Sequence, residues 1–582
     1  MAKNVTSDTK SFYSYVRSKS KVKDAVGPLA NPNGELVTEK SEICNILNNY
    51  FGSVFTNEDN LGELPPITQL FDGQALDKIV IDSEVVYTKL RNLKPDKAPG
   101  IDGLASQLLI ETSEEICYPL SKIYEKSLMT GCIPVDWKLS NVTPIYKGGK
   151  RSEPGNYRPV SLTPHVCKVL ESILKDSMLE HLIENDMLKG SQHGFVSKRS
   201  CFTNLLSFFE KVNGWVDEGE AVDVIYLDFR KAFDTVPHKR LMQKIKACGI
   251  SGLVYDWIES WLVGRRQRVT LGANQSDWVE VISGVPQGSV LGPLFFLIFI
   301  NDVDEDLINL ILKFADDTKL FGKVGNVAQL ESMHRDLELL NKWSKTWGLE
   351  FNVDKCKVIH FGRNNPNATY AISDKNLKEV KEEKDLGVIV NQDLKAANQC
   401  AVAVKAANRT LGLIKRTFSS RSKDIILGLY KSLVRPKLEY CMSVWKPHYR
   451  KDIDLLEGVQ RRSLKVIDGF NVLCYEDRLS AVHLTSLETR RIRGDLIEVY
   501  KIMHGLTNLN PEDFFTFANS ELRGHKYKLY KPRIKTDIGK FSFSFRVIDL
   551  WNSLPDEVVN AGSVNSLRNK IDDVIKFGWG LK

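Results

Sequence analysis

The chain has 582 residues, of which 42% are hydrophobic and 26% are charged. This length predicts about three to four compact units, and the composition excludes a largely disordered protein. The net charge of +7, from 80 Lys and Arg against 73 Asp and Glu, is too small to identify a partner by itself.

The ten cysteines are scattered singly, without a CxxC pair or a Cys/His ligand spacing. This pattern argues against a structural zinc site and against a secreted disulfide scaffold. The longest apolar run, LFFLIFI at 294–300, is far shorter than the ~20 residues of a membrane helix, and the N-terminus lacks a hydrophobic signal core. We therefore expect a soluble intracellular protein, in the nucleus, the cytoplasm or both, with no membrane partner.

Residues 1–89 read as an N-terminal extension or linker. Apolar residues recur at helical spacing in SEICNILNNYFGSVF, which predicts a helix, and GELPPITQLFDGQ predicts a loop. From about residue 90 the pattern changes to Gly- and Pro-punctuated loops between periodic segments. SQLLIETSEEICYPLSKIYEKSLMTG predicts a helix, and SNVTPIYKGG predicts a short extended piece after it.

Strand and hairpin patterns dominate the middle of the chain. AVDVIYLDF (221–229) is apolar and β-branched between polar flanks, which predicts a buried strand followed by a turn and a helix. RRQRVTLGANQSDWVEVISG alternates as a hairpin does, with its turn at GANQ, and SVLGPLFFLIFINDVDEDL predicts a helix packed under a sheet. INLILKFADDTKLFGKVG places two apolar arms around a polar pair, which predicts a second hairpin. The pattern is helical over 396–480 and weak over 481–582.

The polar pair of the second hairpin consists of Asp316 and Asp317. Two like charges side by side either raise a pKa or need a cation near them. Carboxylate oxygens suit Mg²⁺, and Asp228, at the end of the buried strand, offers a third carboxylate. The three acids could hold two metal ions roughly 4 Å apart and support phosphoryl transfer, which depends on positioning and charge neutralisation. A solvated turn is the alternative, since turns favour aspartate.

The segments around these acids resemble the ordered motifs of a reverse transcriptase, specifically that of non-LTR retrotransposons of the jockey-like kind. Over about residues 94–390 the resembling segments are NYRPVSLTPHVCKVLE, SQHGFVSKRSCFTNLL, YLDFRKAFDTVPH, GVPQGSVLGPLFFLIFIND, FADD, WGLEFNVDKCKVIHFG and EKDLGVIV. The resemblance assigns the catalytic, metal-binding carboxylates to Asp228, Asp316 and Asp317. It implies RNA-directed DNA synthesis with two Mg²⁺ ions, or Mn²⁺ in their place, and with an RNA template, a DNA primer and dNTPs as partners.

The resemblance also assigns residues around the incoming nucleotide. Phe233 matches the aromatic that packs under the sugar and excludes a 2′-hydroxyl, and Gln287 matches a contact to the nucleotide and the templating pair. Lys355 is a catalytic candidate, because the family's lysine at this motif is thought to donate a proton to departing pyrophosphate. Arg158 and Arg199 are candidates for binding the triphosphate, since arginine suits bidentate phosphate contact. A solvated or structural cation is the alternative for all three basic residues.

Neighbouring residues of the same motifs have expected structural roles. Gly284 and Gly288 would let the main chain approach a base pair closely, and Pro286 would keep the backbone before Gln287 extended. Asp234 is expected to cap a helix, because aspartate is favoured at N-caps.

Three basic segments are candidates for phosphate contacts with template and primer. They are RRQR (265–268), VQRRSLK (459–465) and RGHKYKLYKPRIK (523–535). The last interleaves tyrosines with cations, which suits stacking on unpaired bases. A solvated basic surface is the alternative.

The expected fold is α+β: a right-hand polymerase with fingers and an antiparallel palm sheet at 90–395, a helical thumb at 396–480, and a small C-terminal region at 481–582 that is a candidate for nucleic-acid binding. Only about 90 residues precede the finger motifs, so we expect no endonuclease domain in this chain. Two alternatives to the RNA-directed DNA polymerase stay open. One is an RNA-directed RNA polymerase, against which Phe233 argues. The other is a catalytically inactive, domesticated nucleic-acid-binding protein derived from such an element.

Overall fold

The computed structural model describes residues 10, 12–15, 26–66, 71–518 and 524–576. In the N-terminal part, the helix expected in SEICNILNNYFGSVF is present, and Glu39 caps it by accepting from the backbone N–H groups of Ser41 and Glu42. The helices and strands up to residue 138 are β1 (Leu29–Ala30), β2 (Leu36–Val37), α1 (Lys40–Ser53), α2 (Ser83–Arg91), α3 (Ser106–Glu111), α4 (Ser113–Thr130) and α5 (Val135–Lys138).

The middle of the chain intersperses strands with helices and contains two five-stranded sheets. Its elements are β3 (Leu139–Tyr146), β4 (Tyr157–Leu162), α6 (His165–Glu184), α7 (Cys201–Glu218), β5 (Val222–Leu227), α8 (Ala232–Thr235), α9 (His238–Ala247), α10 (Gly252–Leu262), β6 (Arg265–Leu271), β7 (Asn274–Gln275), β8 (Val279–Val281), α11 (Gly292–Ile300), β9 (Leu310–Phe314), β10 (Asp317–Lys323), α12 (Val327–Trp347), β11 (Lys357–Phe361), β12 (Ala371–Ile372), β13 (Lys375–Asn376), β14 (Lys378–Glu379), β15 (Glu382–Asp385) and β16 (Val388–Asn391).

The central sheet has the strand order β14-β11-β5-β10-β9 and is antiparallel except where β14 joins β11. Both faces of β5 are covered: Val222 and Val224 contribute to one apolar core, and Ile225 and Leu227 to another on the opposite face. Successive side chains of a strand point to opposite faces, so a strand buried on both sides must be apolar throughout most of its length. The expected hairpin around Asp316 and Asp317 is formed by β9 and β10.

The second sheet has the order β4-β3-β6-β7, with β8 also paired to β6. The expected turn at GANQ joins β6 to β7. Helix α1 packs on this sheet, where Ile43 and Leu47 share an apolar cluster with Val142 and Val269. The described part of residues 1–89 is therefore packed into the fold, and the boundary at residue 89 stays a prediction.

The described last part of the chain is mainly helical, and helices make up about half of the segment whose sequence pattern is weak. Its elements are α13 (Ala397–Thr417), α14 (Lys423–Leu429), a π-helical turn (Tyr430–Val434), α15 (Arg435–Glu439), α16 (Arg450–Leu464), α17 (Tyr475–Ala481), α18 (Leu487–Met503), α19 (Asp537–Lys540), α20 (Phe543–Arg546), α21 (Ile548–Asn552), α22 (Asp556–Val559) and α23 (Val564–Lys576). These helices share one apolar core with α7 and one face of the central sheet. The boundary expected at residue 480 lies within this shared core and also stays a prediction.

No helix in the described ranges has both the length and the apolar character that crossing a membrane requires.

Candidate active site

The ends of two neighbouring strands bring the carboxylates together. Asp228 follows β5, Asp317 begins β10, and the last pair of the ladder between these strands joins Leu227 to Thr318. Continued by one step, this register sets Asp228 opposite Asp317, and opposite Cα atoms of antiparallel strands are about 4.5–5.5 Å apart. Asp316 occupies the turn that precedes β10. All three acids line one cleft of about 1560 Å³.

The turn that carries Asp316 is held by the loop that precedes α7. The Gln192 side-chain oxygen accepts from the backbone N–H of Ala315 at 3.0 Å and from that of Gly194 at 2.8 Å. The backbone N–H of His193 donates to the Lys313 carbonyl at 2.8 Å. Because Ala315 adopts a left-handed conformation with φ of 56°, these bonds hold a backbone geometry that alanine rarely takes.

The pKa values of Asp316 and Asp317 are both raised above that of a free carboxyl group. Burial raises the pKa of Asp316, and the nearby Asp228 raises it further. Burial, followed by the charges of Asp316, Asp385 and Asp228, raises the pKa of Asp317 to about 6. Lys147 lowers both pKa values without cancelling these effects. The site therefore favours either a bound proton or a bound cation.

These donors fit a divalent metal ion in chemistry but do not yet surround a common point. Within the described ranges, no group of three or more His, Cys, Asp or Glu side chains is arranged to hold a metal ion. The Nζ atom of Lys355 lies 3.4 Å from Oδ1 of Asp228. Three hard oxygen donors in one cleft suit Mg²⁺, and Asp228 would have to turn away from Lys355 to join the other two.

Lys355 is placed by a turn attached to the end of β5. The backbone N–H of Asn352 donates to the Asp228 carbonyl at 2.7 Å, and the N–H of Lys355 donates to the Asn352 carbonyl at 2.9 Å. The rings of Phe229 and Phe351 stack with centroids 4.6 Å apart and hold the same junction. The backbone of Lys355 is thus held near the acids by contacts that are remote in sequence.

The two nucleotide-pocket candidates Phe233 and Gln287 lie in the same cleft. Phe233 stacks on Phe296 of α11, with ring centroids 4.5 Å apart. The Gln287 amide Nε2 donates to Oδ1 of Asp234 at 2.8 Å. Burial raises the pKa of Asp234 to about 6, although the Gln287 bond and the charges of Lys231 and Arg158 oppose the rise.

The expectation that Asp234 caps a helix is wrong. Asp234 lies inside the short helix α8, whose N-cap is Lys231. Its carboxylate is directed instead to Gln287 in the loop before α11.

The glycines beside Gln287 are required by contacts with protein backbone. Gly284 has a φ of 84°, and a Cβ there would lie 2.6 Å from the Asp234 carbonyl oxygen. Gly288 has a φ of 124°, and a Cβ there would collide with the Ser161 carbonyl oxygen of β4. Both positions therefore need glycine before any base pair is bound, which is a different reason from the one expected from sequence.

The two candidate arginines lie in different places. Arg158 is exposed on β4 and lines the cleft. Arg199 does not line it, because its Nη1 donates to the carbonyls of Gln192 at 2.6 Å and Lys189 at 3.0 Å. Arg199 thus holds the loop before α7 together. This is the role of a structural cation, which the sequence left open as the alternative to triphosphate binding.

Three further residues of the cleft were not identified from sequence: Lys147, Lys231 and Phe195. Lys147 directly follows β3 and is exposed. Lys231 adopts a φ of 45°, and burial lowers its pKa. Phe195 is 56% exposed and has a φ of 57°, an unusual backbone conformation for an aromatic residue. Of the three, Lys147 was the residue that the sequence could have indicated, because it is a cation directly after a strand that ends near the acids.

The basic segments differ in how much charge they leave exposed. In RRQR, Arg265 is buried over the Trp261 ring and Arg268 stacks on Trp278 and is half-buried, so Arg266 is the exposed arginine of this segment. In VQRRSLK the three cations Arg461, Arg462 and Lys465 are exposed on or beside α16. Of RGHKYKLYKPRIK, Arg523 lies outside the described residues, and Tyr530 is 57% exposed.

Comparison with known proteins finds relatives of this region. The family model for reverse transcriptase (RNA-dependent DNA polymerase) matches residues 145–393. The chain is 26% identical over 399 residues to the probable RNA-directed DNA polymerase from transposon X-element of Drosophila melanogaster, covering 66% of this chain and 43% of the relative. It is 26% identical over 493 residues to the RNA-directed DNA polymerase from mobile element jockey of Drosophila funebris, covering 81% of this chain and 54% of the relative.

The chain spans about half the length of the curated relatives it matches. The resemblance to the polymerases of jockey-like non-LTR elements, inferred from the motifs, is confirmed by these comparisons.

Proposed function

We propose that this chain, whose residues 145–393 match the family model for reverse transcriptase (RNA-dependent DNA polymerase), is an RNA-directed DNA polymerase of a jockey-like non-LTR retrotransposon. The observation that carries the proposal is the meeting of Asp228, Asp316 and Asp317 at adjoining strand ends in one cleft. The same cleft is lined by Phe233, Gln287 and a set of cations. A cleft that combines acids and cations suits the binding of a triphosphate, because an oxygen nucleophile must reach one of its phosphorus atoms.

Asp228, Asp316 and Asp317 would hold two divalent cations, which we propose are Mg²⁺, with Mn²⁺ able to replace them. When bound, these ions neutralise charge on the attacking and leaving oxygens. The raised pKa values of Asp316 and Asp317 support this role, because a site in which carboxylates resist ionisation gains most from a cation.

In the proposed reaction, the 3′-hydroxyl oxygen of a DNA primer attacks the α-phosphorus of a dNTP. A new phosphodiester bond forms, the bond to pyrophosphate breaks, and the hydroxyl proton passes to solvent water. Lys355 would donate a proton to the leaving pyrophosphate, and its position in the cleft beside Asp228 supports this role. Lys147 and Arg158 are exposed in the same cleft and would bind the non-reacting phosphates.

Phe233 would pack under the sugar of the incoming nucleotide and exclude a 2′-hydroxyl. Its ring is stacked on Phe296, so it cannot easily move aside for a larger sugar. Gln287 would contact the base of the nucleotide. Arg199 is not part of the proposed set, because its guanidinium is bonded to the carbonyls of Lys189 and Gln192.

The central sheet would be the palm, the second sheet the core of the fingers, and residues 396–480 a helical thumb. Cations exposed on α13 and α16 support the last assignment: Lys405, Arg409, Arg461 and Arg462. Arg462 also donates to the Asn408 side chain at 3.2 Å, which places the cationic surfaces of these two helices side by side. Such a surface would contact the phosphates of the primer–template duplex. Residues 481–582 are a further candidate for nucleic-acid binding, with the exposed Tyr530 as a stacking residue.

The test is primer extension by the purified chain on a homopolymer RNA with a complementary DNA primer, in Mg²⁺ or Mn²⁺. Incorporation of dNTPs that depends on both the RNA template and the metal supports the proposal. Salt-dependent binding of the duplex without any incorporation would favour a domesticated binding protein. Incorporation of rNTPs in preference to dNTPs would favour an RNA polymerase.

A further inference from the structure

The loop that precedes α11 is fastened to the short helix α8, and to Val236 directly after it, by hydrogen bonds that backbone carbonyls accept. The N–H of Val285 donates to the Phe233 carbonyl at 2.7 Å, and the N–H of Gly284 donates to the Val236 carbonyl at 2.7 Å. The Ser283 hydroxyl donates to the Asp234 carbonyl at 2.9 Å. These bonds fix the position of the loop, but none of them fixes the orientation of a side chain that faces the cleft.

One side-chain bond adds this orientation. The carboxylate of Asp234 is buried under the loop and accepts from Nε2 of Gln287 at 2.8 Å. An ionised carboxylate can only accept hydrogen bonds, whereas the two ends of a glutamine amide differ, one being a donor and the other an acceptor. With Asp234 ionised, the amide nitrogen must face Asp234. The amide oxygen, Oε1, is then the end of the amide turned away from Asp234, and Gln287 lines the cleft.

We propose that Asp234 is a positioning residue that fixes the Gln287 amide so that an acceptor, Oε1, is presented to the nucleotide in the cleft. The inference rests on the proposed function, because it concerns the nucleotide pocket of that reaction. It makes a specific statement about recognition: the group of the bound nucleotide or base pair that meets Gln287 is a hydrogen-bond donor. A pocket that presents a fixed acceptor gains selectivity, since a partner lacking the donor leaves a buried polar group unpaired.

The pairing can be reversed by exchanging the chemistry of the two residues. Gln287→Glu alone would place two carboxylates against each other and break the bond. Asp234→Asn in that background would restore it, because an asparagine amide can donate to one oxygen of the carboxylate introduced at position 287. The second oxygen of that carboxylate then stays an acceptor toward the cleft. Gln329→Glu, on α12 and outside the cleft lining, is the matched control for adding a carboxylate.

The experiment measures single-nucleotide incorporation and thermal unfolding for the wild type, Asp234→Asn, Gln287→Glu, the double variant and Gln329→Glu. We expect Gln287→Glu to raise KM for dNTP about tenfold or more, and the double variant to recover to within about threefold of wild type. Asp234→Asn alone is expected to raise KM and the misincorporation frequency with a smaller change in kcat, because its amide can orient Gln287 either way. A merely structural role would change thermal stability without this split between KM and kcat.

The inference is overturned if Asp234→Asn leaves KM and misincorporation unchanged, or if it fails to recover the KM of Gln287→Glu. The unfolding temperatures separate this failure from that of the proposed function. Non-additive stability of the two substitutions shows that the residues are paired, whatever the activity. If the wild-type chain incorporates no nucleotide, the proposed function fails, and the assigned role in nucleotide recognition fails with it even where the pairing is found.

Discussion

Nζ of Lys355 lies 3.4 Å from Oδ1 of Asp228, although 127 residues separate the two along the chain. Both side chains are partly exposed, with 56% of the lysine and 37% of the aspartate side chain accessible. An ion pair this exposed contributes little to stability, so it can open when a better partner for Asp228 arrives. The pair places the candidate proton donor beside the candidate metal ligand without locking either of them.

Replacing Lys355 should therefore affect chemistry more than folding. We expect Lys355→Ala to lower kcat about 100-fold, since a positioned general acid contributes on that order, and to leave the unfolding temperature nearly unchanged. The exposed Lys375, which pairs with Asp354, provides the matched control as Lys375→Ala. Single-turnover incorporation measures the effect, and an unchanged kcat for Lys355→Ala would remove the lysine from the catalytic set.

Phe233 should control the choice of sugar. Phe233→Val removes the ring that would meet a 2′-hydroxyl, so the ratio of kcat/KM for dNTP over rNTP should fall by about 100-fold or more. Phe233→Tyr keeps the ring and should retain the discrimination. Competing incorporation of dNTP and rNTP on one template measures the ratio. Equal discrimination in the valine and tyrosine variants would count against this pocket.

Asp317 should make the metal-free protein less stable as the pH rises. Its pKa in the folded state is raised from 3.8 to about 6, so the folded state binds the proton more tightly than the unfolded state does. The stabilisation from that proton is present at low pH and is lost as the pH rises from about 4 to about 6. We expect the stability of Asp317→Asn relative to wild type to increase as the pH rises across this interval. Urea unfolding in EDTA at a series of pH values measures the difference. The surface variant Asp393→Asn controls for the loss of one carboxylate. If the difference in unfolding free energy between wild type and Asp317→Asn stayed constant with pH, the raised pKa of Asp317 would be contradicted.

Gly288 should be intolerant of a side chain. Gly288→Ala would force a left-handed alanine against the Ser161 carbonyl and should cost about 2 kcal/mol or more of unfolding free energy. Gly412→Ala, on the helix α13 with open space around the added methyl, is the control and should be neutral or slightly stabilising. Chemical denaturation compares the two. Similar stability for both variants would show that the loop before α11 can shift away from β4.

Much of the acidic centre follows from local sequence pattern. The apolar run of β5 and the two apolar arms around Asp316 and Asp317 predict a buried strand and a hairpin, and both are present. Hydrogen-bond register then determines that Asp228 meets Asp317. The pattern could not give the partners of Arg199 or Asp234, because those partners lie in loops whose positions depend on tertiary packing. It also missed Lys231 and Phe195, whose left-handed backbone conformations are set by the surrounding fold and not by local preference.

The central claim is that Asp228, Asp316 and Asp317 act together on a metal-bound triphosphate. The most direct measurement is primer extension on an RNA template by Asp316→Asn, beside wild type and the surface variant Asp393→Asn, with duplex binding recorded for each protein. We predict that Asp316→Asn binds the duplex normally but loses dNTP incorporation by about 10³-fold or more, because the site then lacks one of its charged ligands. Incorporation by Asp316→Asn at the wild-type rate would contradict the account.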